Sequence, residues 1–314
     1  MTCRYVCLIT IVAIVAIVTT VSVDTGAQEL GGIYVEVLDQ TGQPVTDLTP
    51  EDFNIKTGPP SLSVDDEQTR PVVAAQPGTI PMKVALLVDN ADGMVQGNAL
   101  SSLRSGLGAF LDTLPAQHEV GLFTIARVPQ LRVDFTTDRA ELKESVSTIF
   151  AEKGQGAVMF DGIQETWARR FEDDDAWPVI VMVLTDGPEM SGNMTQDEYN
   201  ALVGELMSRG ANVHIVLLLT RGADARAKLR PIQTDYATNL TQNTGGLFQG
   251  INLATGLPDA LTTLATEIGA HFDDMSNRWR VVYERSDPPG ERIALMVNRP
   301  AVNVRIFTHR RMEP

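Results

Sequence analysis

Residues 83–88 read KVALLV, and residues 179–184 read VIVMVL. Neither run alternates apolar with polar positions. A strand that meets water on one face alternates, whereas one covered on both faces does not. Both runs are therefore expected as inner strands of a sheet with helices on each side. The segments around them carry the helical period. Ala99 to Leu114 sets Leu100, Leu103, Leu107, Phe110, Leu111 and Leu114 on one face. Asp138-Arg139-Ala140-Glu141 and Thr195-Gln196-Asp197-Glu198 have capping-box spacing. They open helices expected to reach about Phe150 and Gly210. Phe160–Phe171 and Leu257–Phe272 are further helices. Glu119–Ala126, an edge-like Leu131–Phe135, Asn212–Thr220 and Gly246–Gln249 are further strands. Strands alternating with helices over about 190 residues predict an α/β unit with a Rossmann-like, mostly parallel central sheet. Such sheets place ligands at the carboxyl ends of their strands.

Outside this unit the period changes. Ile33, Val35 and Val37 alternate with Tyr34, Glu36 and Leu38, and Phe53-Asn54-Ile55 follows a turn at residues 40–44. Gly58 to Pro81 is rich in Pro, Asp and Ser and reads as a linker or irregular crossover. Near the carboxyl terminus Trp279, Val281 and Tyr283 alternate, then Ile293, Leu295 and Val297, then Val302, Val304 and Ile306. Neither end has enough strands to bury a face alone. Together they predict a small β-sandwich-like module, built from residues 28–80 and 274–314, with the α/β unit of residues 81–273 inserted between them.

The amino terminus has its own character. Residues 8–23, LITIVAIVAIVTTVSV, hold 12 apolar residues and no charge. Arg4 precedes them and Thr25-Gly26-Ala27 follows. A basic residue, an apolar run and a small-residue end read as a secretory signal over residues 1–27, giving a secreted or periplasmic mature chain. The alternative is a membrane anchor through residues 8–23, which fall slightly short of a full span. The chain's two cysteines, Cys3 and Cys7, would leave with the signal. No disulfide framework or cysteine-based zinc site remains to be built.

The net charge of the 314 residues is −15, and it is uneven. From Arg278 onward eight arginines face four acidic residues, while residues 28–277 sum to −19. An acidic body argues against nucleic acid as partner. The basic tail is expected to dock within the chain, with a separate acidic partner as the second reading. The acidic run Glu172–Asp175 reads as a solvated loop, since it lacks the glycine and spaced ligands of a calcium loop. No P-loop, Gly-x-Ser-x-Gly elbow or His-Glu-x-x-His is present. His214, at the start of a buried-looking strand, reads as structural.

Three segments resemble von Willebrand factor A domains. Lys83–Met94 (KVALLVDNADGM) is similar to that fold's first strand and loop, Gly156–Ile163 (GAVMFDGI) to its second loop and helix, and Val181–Gly187 (VMVLTDG) to its fourth strand and loop. The flanks resemble those of secreted bacterial proteins related to this family. The resemblance implies a metal-ion-dependent adhesion site on these loops, with Asp-x-Ser-x-Ser on the first, Thr on the second and Asp on the third. Mg²⁺ wants six oxygens and keeps water where the protein leaves a position open. Here the aspartates are Asp89 and Asp186. The hydroxyl positions hold Ala91, Gly93 and Ala157, none with a side-chain oxygen.

The metal ligands left are Asp89 and Asp186, with Asp92 or Asp161 nearby, so the implied site is degenerate. No cofactor is expected beyond weakly held Mg²⁺. Asp161 is expected to cap the helix it starts, and Asp92-Gly93 to form a turn. The leading reading is an exported, non-catalytic module for adhesion or scaffolding that binds a protein. The alternative is Mg²⁺-dependent adhesion to a partner carboxylate. A third is a metal-dependent hydrolase using Asp89, Asp161 and Asp186.

Overall fold

The computed structural model describes residues 30–58, 68–77, 81–171, 176–192, 194–219, 232–284 and 292–307. Residues 1–27, including the apolar run 8–23, and the acidic run 172–175 lie outside them.

The first described strands are β1 (Leu30–Leu38), β2 (Phe53–Gly58), β3 (Gln68–Arg70) and β4 (Val72–Pro77). The last two fall where a linker was expected. Their short, Pro-flanked sequences carry no period of their own. They are strands because they have partners: β3 pairs with β2, and β4 pairs with a strand more than 200 residues away.

The central sheet follows. It holds β5 (Met82–Val88), β6 (Glu119–Thr124), β7 (Gln130–Thr136), β8 (Trp177–Thr185), β9 (Asn212–Leu218) and β10 (Phe248–Ile251), in the order β10-β9-β8-β5-β6-β7. Every pair is parallel except β6 with β7, where a hairpin makes an antiparallel edge. The helices are α1 (Asp92–Gln96), α2 (Leu100–Thr113), α3 (Arg139–Ser147), α4 (Met159–Arg170), α5 (Gln196–Ser208), α6 (Ile232–Thr244) and α7 (Leu257–Ser276).

The uninterrupted apolar runs are explained by two cores. Val84, Leu86 and Val88 of β5, with Val179, Val181 and Val183 of β8, pack under α2, α3 and α7. Ala85 and Leu87, with Ile180, Met182 and Leu184, pack under α4, α5 and α6. Successive side chains point to opposite faces, so a strand with a helix layer on each side needs an apolar residue at every step.

The capping box at Thr195 forms: its hydroxyl accepts from Glu198 N, and the Glu198 carboxylate accepts from Thr195 N at 2.8 Å. Asp138 accepts from the Ala140 and Glu141 amides. The helix it opens ends at Ser147, short of Phe150, because the Thr148 hydroxyl turns back to Ser145 O and the chain leaves to pair its carbonyls with side chains elsewhere.

Past α7 come β11 (Trp279–Glu284), β12 (Arg292–Val297) and β13 (Asn303–Phe307). They pair with the first strands. One antiparallel sheet is ordered β13-β1-β11-β4, the other β12-β2-β3. Ile33, Val35 and Val37 face Val281, Trp279 and Phe53 in a third core between these sheets. The Trp279 indole N–H donates to Val45 O at 2.8 Å. Arg299, from the basic tail, donates to the Asp52 carboxylate at 3.0 Å.

Candidate functional site

Strand order decides which loops meet. From β5 the chain steps outward to β6 on one side and returns to β8 on the other. The crevice between β5 and β8 is thus the switch point, where sheets of this kind bind ligands. Asp89 follows β5 directly and Asp186 follows β8. Both are fully buried. The Asp89 amide donates to Val183 O at 2.8 Å, and the Asp186 amide donates to Leu218 O at 3.1 Å.

The Asp89 carboxylate is engaged on both oxygens. Oδ1 accepts from Ala91 N at 2.8 Å. Oδ2 accepts from Thr185 N at 3.0 Å and from Thr185 Oγ1 at 2.6 Å. Burial pushes the carboxyl up from the ordinary carboxylate range, opposed by the Thr185 hydroxyl and the two amides. Thr185 was not singled out from the sequence, though it stands inside the quoted VMVLTDG. A hydroxyl one residue before an aspartate was the available signal.

The other positions on these loops are also tied into the backbone. Gly93 lies in α1, so Asp92-Gly93 starts a short helix where an isolated turn was expected. Asp92 accepts from Gly154 N at 3.2 Å and from the Gln96 amide at 2.7 Å. Ala157 forms bridges with Ala126 on one side and Glu189 on the other. Asn90 links three loops: its Oδ1 accepts from Ala126 N and its Nδ2 donates to Phe150 O.

Asp161 does not cap its helix. The N-cap of α4 is Val158, which offers no side-chain bond. The capping groups come from the loop after β8. The Glu189 carboxylate accepts from Met159 N at 3.1 Å, and Ser191 Oγ accepts from Phe160 N and Asp161 N. Asp161 reaches the other way and accepts from Gly192 N at 3.3 Å. Four free amides at a helix start need acceptors, and a residue distant in sequence supplies them as well as a local one. Sequence spacing holds no signal for Glu189 or Ser191.

Among the described residues, no group of three or more His, Cys, Asp or Glu is placed to hold a metal ion. Several loop side chains at this end of the sheet face solvent and are apolar: Phe150 is 57% exposed, Met190 61% and Val128 45%. Among the described residues no helix is long and apolar enough to cross a membrane.

A doubly covered sheet of this order, with an antiparallel edge and an aspartate after each strand beside its switch point, defines an α/β domain of the kind that binds ligands at its loop end. Residues 84–189 match the family model of the von Willebrand factor type A domain. These residues form a von Willebrand factor type A domain. Among solved structures it is similar to a von Willebrand factor type A protein from Catenulispora acidiphila, with 10% identity and a TM-score of 0.49 over 78% of this chain. This chain spans 51% of that one. It is similar to BatB from Bacteroides thetaiotaomicron, with 12% identity and a TM-score of 0.47, covering 60% of this chain and 99% of that one. A third is proximal thread matrix protein 1 from the mussel byssus, solved with a zinc-occupied metal-ion-dependent adhesion motif. It shows 12% identity and a TM-score of 0.45 over 68% of this chain and 50% of that one. No curated protein matches the sequence.

Proposed function

We propose that this chain is an exported, non-catalytic interaction module that holds a protein partner with the loop end of its von Willebrand factor A domain, without a bridging cation. One observation carries the reading. On these loops Asp89, Asp92, Asp161 and Glu189 spend their oxygens on backbone amides and neighbouring side chains, while Phe150, Met190 and Val128 face water. A carboxylate that already accepts amide N–H groups has fewer of its roughly four acceptor positions left for a proton or a cation. Exposed apolar side chains, by contrast, gain about 25 cal/mol per Å² when a partner covers them.

A photo-crosslinking residue at Phe150, in the protein as the cell exports it, tests this. The expected result is a discrete adduct with one protein that survives chelation by EDTA and falls at least about tenfold in Met190→Asp, a change worth ~1.4 kcal/mol. The second reading, Mg²⁺-bridged adhesion, is favoured by the placement of Asp89 and Asp186 on adjoining strands. An adduct abolished by EDTA and restored by Mg²⁺ would select it.

The export half of the proposal rests on residues 1–27. The exported protein is expected to begin at Gln28, which intact-mass measurement reads directly. A chain that keeps residues 8–23 and sediments with membranes would replace export with anchoring.

A further inference from the structure

We infer that β10, an edge strand of the central sheet, pairs antiparallel with β10 of a second copy of this chain. The inference does not depend on what the loop end binds.

The argument begins with the edge itself. Among the described residues β10 pairs with β9 alone. Phe248, Gln249 and Gly250 are exposed and Ile251 is half-buried. Ile215 N donates to Leu247 O and Leu219 N donates to Ile251 O, each at 2.8 Å. Backbone groups alternate along a strand as side chains do. Residues 247, 249 and 251 therefore turn theirs to β9, and the N–H and C=O of Phe248 and Gly250 face outward. Such a row of donors and acceptors is a template for another strand.

Edges are ordinarily guarded by charge, by proline or by a bulge. The opposite edge, β7, carries Arg132 and Asp134 and pairs with β6 through register shifts. β4 starts after Pro71, ends at Pro77 and has a register shift against β11. β10 holds no charge and no proline, and its register with β9 is regular. Its flanks are equally bare. The 23 residues from Tyr236 to Pro258 contain no Asp, Glu, Lys, Arg or His, where a chain with 21% charged residues would place about five.

Charge decides the occupant. Each copy carries −15, so two copies repel over most of their surfaces. Screening at physiological salt confines that repulsion to about 8 Å. A charge-free strand with charge-free flanks is where two such chains can approach. A strongly charged partner would find no counter-charge there. Phe248, 37% exposed, and Leu253, 71% exposed, add apolar surface that gains when covered.

The register follows from symmetry. A two-fold axis beside Gln249 sets Phe248 opposite Gly250 of the second copy. These outward-facing residues exchange both N–H···O bonds, and the two Gln249 residues stand opposite one another as a non-hydrogen-bonded pair. Two six-stranded sheets then run on as one. Because the second copy is antiparallel, its loop end points the other way. If the loop end binds a protein as proposed above, the dimer joins two partners and does not grip one twice.

Disulfide trapping reads this register. In a Cys3→Ser/Cys7→Ser background, Gln249→Cys sets two thiols on residues whose Cα atoms lie about 4.5 Å apart, within the span of a disulfide. Mild oxidation should convert most of that chain to a covalent dimer, while Leu131→Cys on β7, in the same background, stays monomeric. Sedimentation velocity measures the association without a cross-link. The unaltered protein should sediment as a dimer at about 100 µM, and Gln249→Glu, which sets two carboxylates face to face, should raise the dissociation constant at least about tenfold. Gln249 is exposed, so an unchanged melting temperature in dilute solution is expected for the variant. A monomer at that concentration, a dimer indifferent to Gln249→Glu, or cross-linking of Gln249→Cys no faster than of Leu131→Cys would each overturn the pairing. None of these readouts involves the loop-end partner. Loss of the Phe150 adduct would therefore sink the loop-end reading and leave the dimer standing, and a monomer with an intact adduct would do the reverse.

Discussion

A chain ending at Arg278 should lose the structure of residues 30–77 while keeping its central sheet. The strand order β13-β1-β11-β4 puts β11 between β1 and β4. Its removal strips β1 of its partner from Leu30 to Val35 and strips β4 of the only strand it pairs with among the described residues. Loss of β13 opens the other side of β1, and loss of β12 opens one side of β2.

The side chains matter as much as the ladders. Trp279, Val281 and Tyr283 are buried in the core that Ile33, Val35 and Val37 share. At about 1.5–3 kcal/mol for each large apolar side chain, their loss removes roughly 5–9 kcal/mol. That rivals the whole stability of a typical domain. Hydrogen exchange reads the outcome residue by residue. Amides of Ile33–Val37 should exchange almost without protection, while those of Val84–Val88 and Val179–Leu184 keep theirs. Trp279→Ala should move the same amides in the same direction, at about 3–5 kcal/mol. Unchanged protection of β1 in the truncated chain would show that the first strands stand without the last.

The sequence revealed much of the central sheet for a plain reason. KVALLV and VIVMVL lack alternation because each residue meets a helix layer on one side or the other, and the two cores divide them residue by residue. That constraint is local, so it is visible locally. β4 was missed because nothing in Val72–Pro77 favours a strand except β11, more than 200 residues downstream.

The candidate site divides the same way. Asp89 and Asp186 could be placed at strand ends by pattern, and the pairing of β5 with β8 explains why the two ends adjoin. Glu189, Ser191 and Thr185 act on helix and strand ends 30 to 96 residues away in the chain. Asp161 looked like a cap because it stands at a helix start. The cap came instead from a loop that the sheet brought over it.

His214 should make this protein lose stability in mild acid. It is almost fully buried on β9, where its Nδ1 accepts from Leu247 N at 3.1 Å. Burial, and then the neighbouring His271, lower its pKa from 6.5 to about 3. Charging it would add a buried positive charge and place a second proton against the Leu247 N–H.

The sign follows from which state takes the proton first. Unfolded, the imidazole protonates as pH falls through about 6.5; folded, it resists until about 3. Its stabilising contribution is therefore complete above pH 6.5 and lost progressively between 6.5 and 3. At pH 5 the loss is about 2 kcal/mol, from ~1.5 pH units at 1.36 kcal/mol each. His118, lowered first by burial and then by Arg139, adds a loss of the same sign. Asp89, raised by burial, opposes them, because a folded state that prefers a protonated carboxyl gains as pH falls.

His214→Asn isolates the histidine, since an amide oxygen can accept the Leu247 bond but does not titrate. Urea unfolding at pH 7 and pH 5 should show the unaltered protein losing about 2 kcal/mol more than the variant over that interval. Equal losses in the two proteins would mean that His214 already carries its proton in the folded state, and that burial does not govern it.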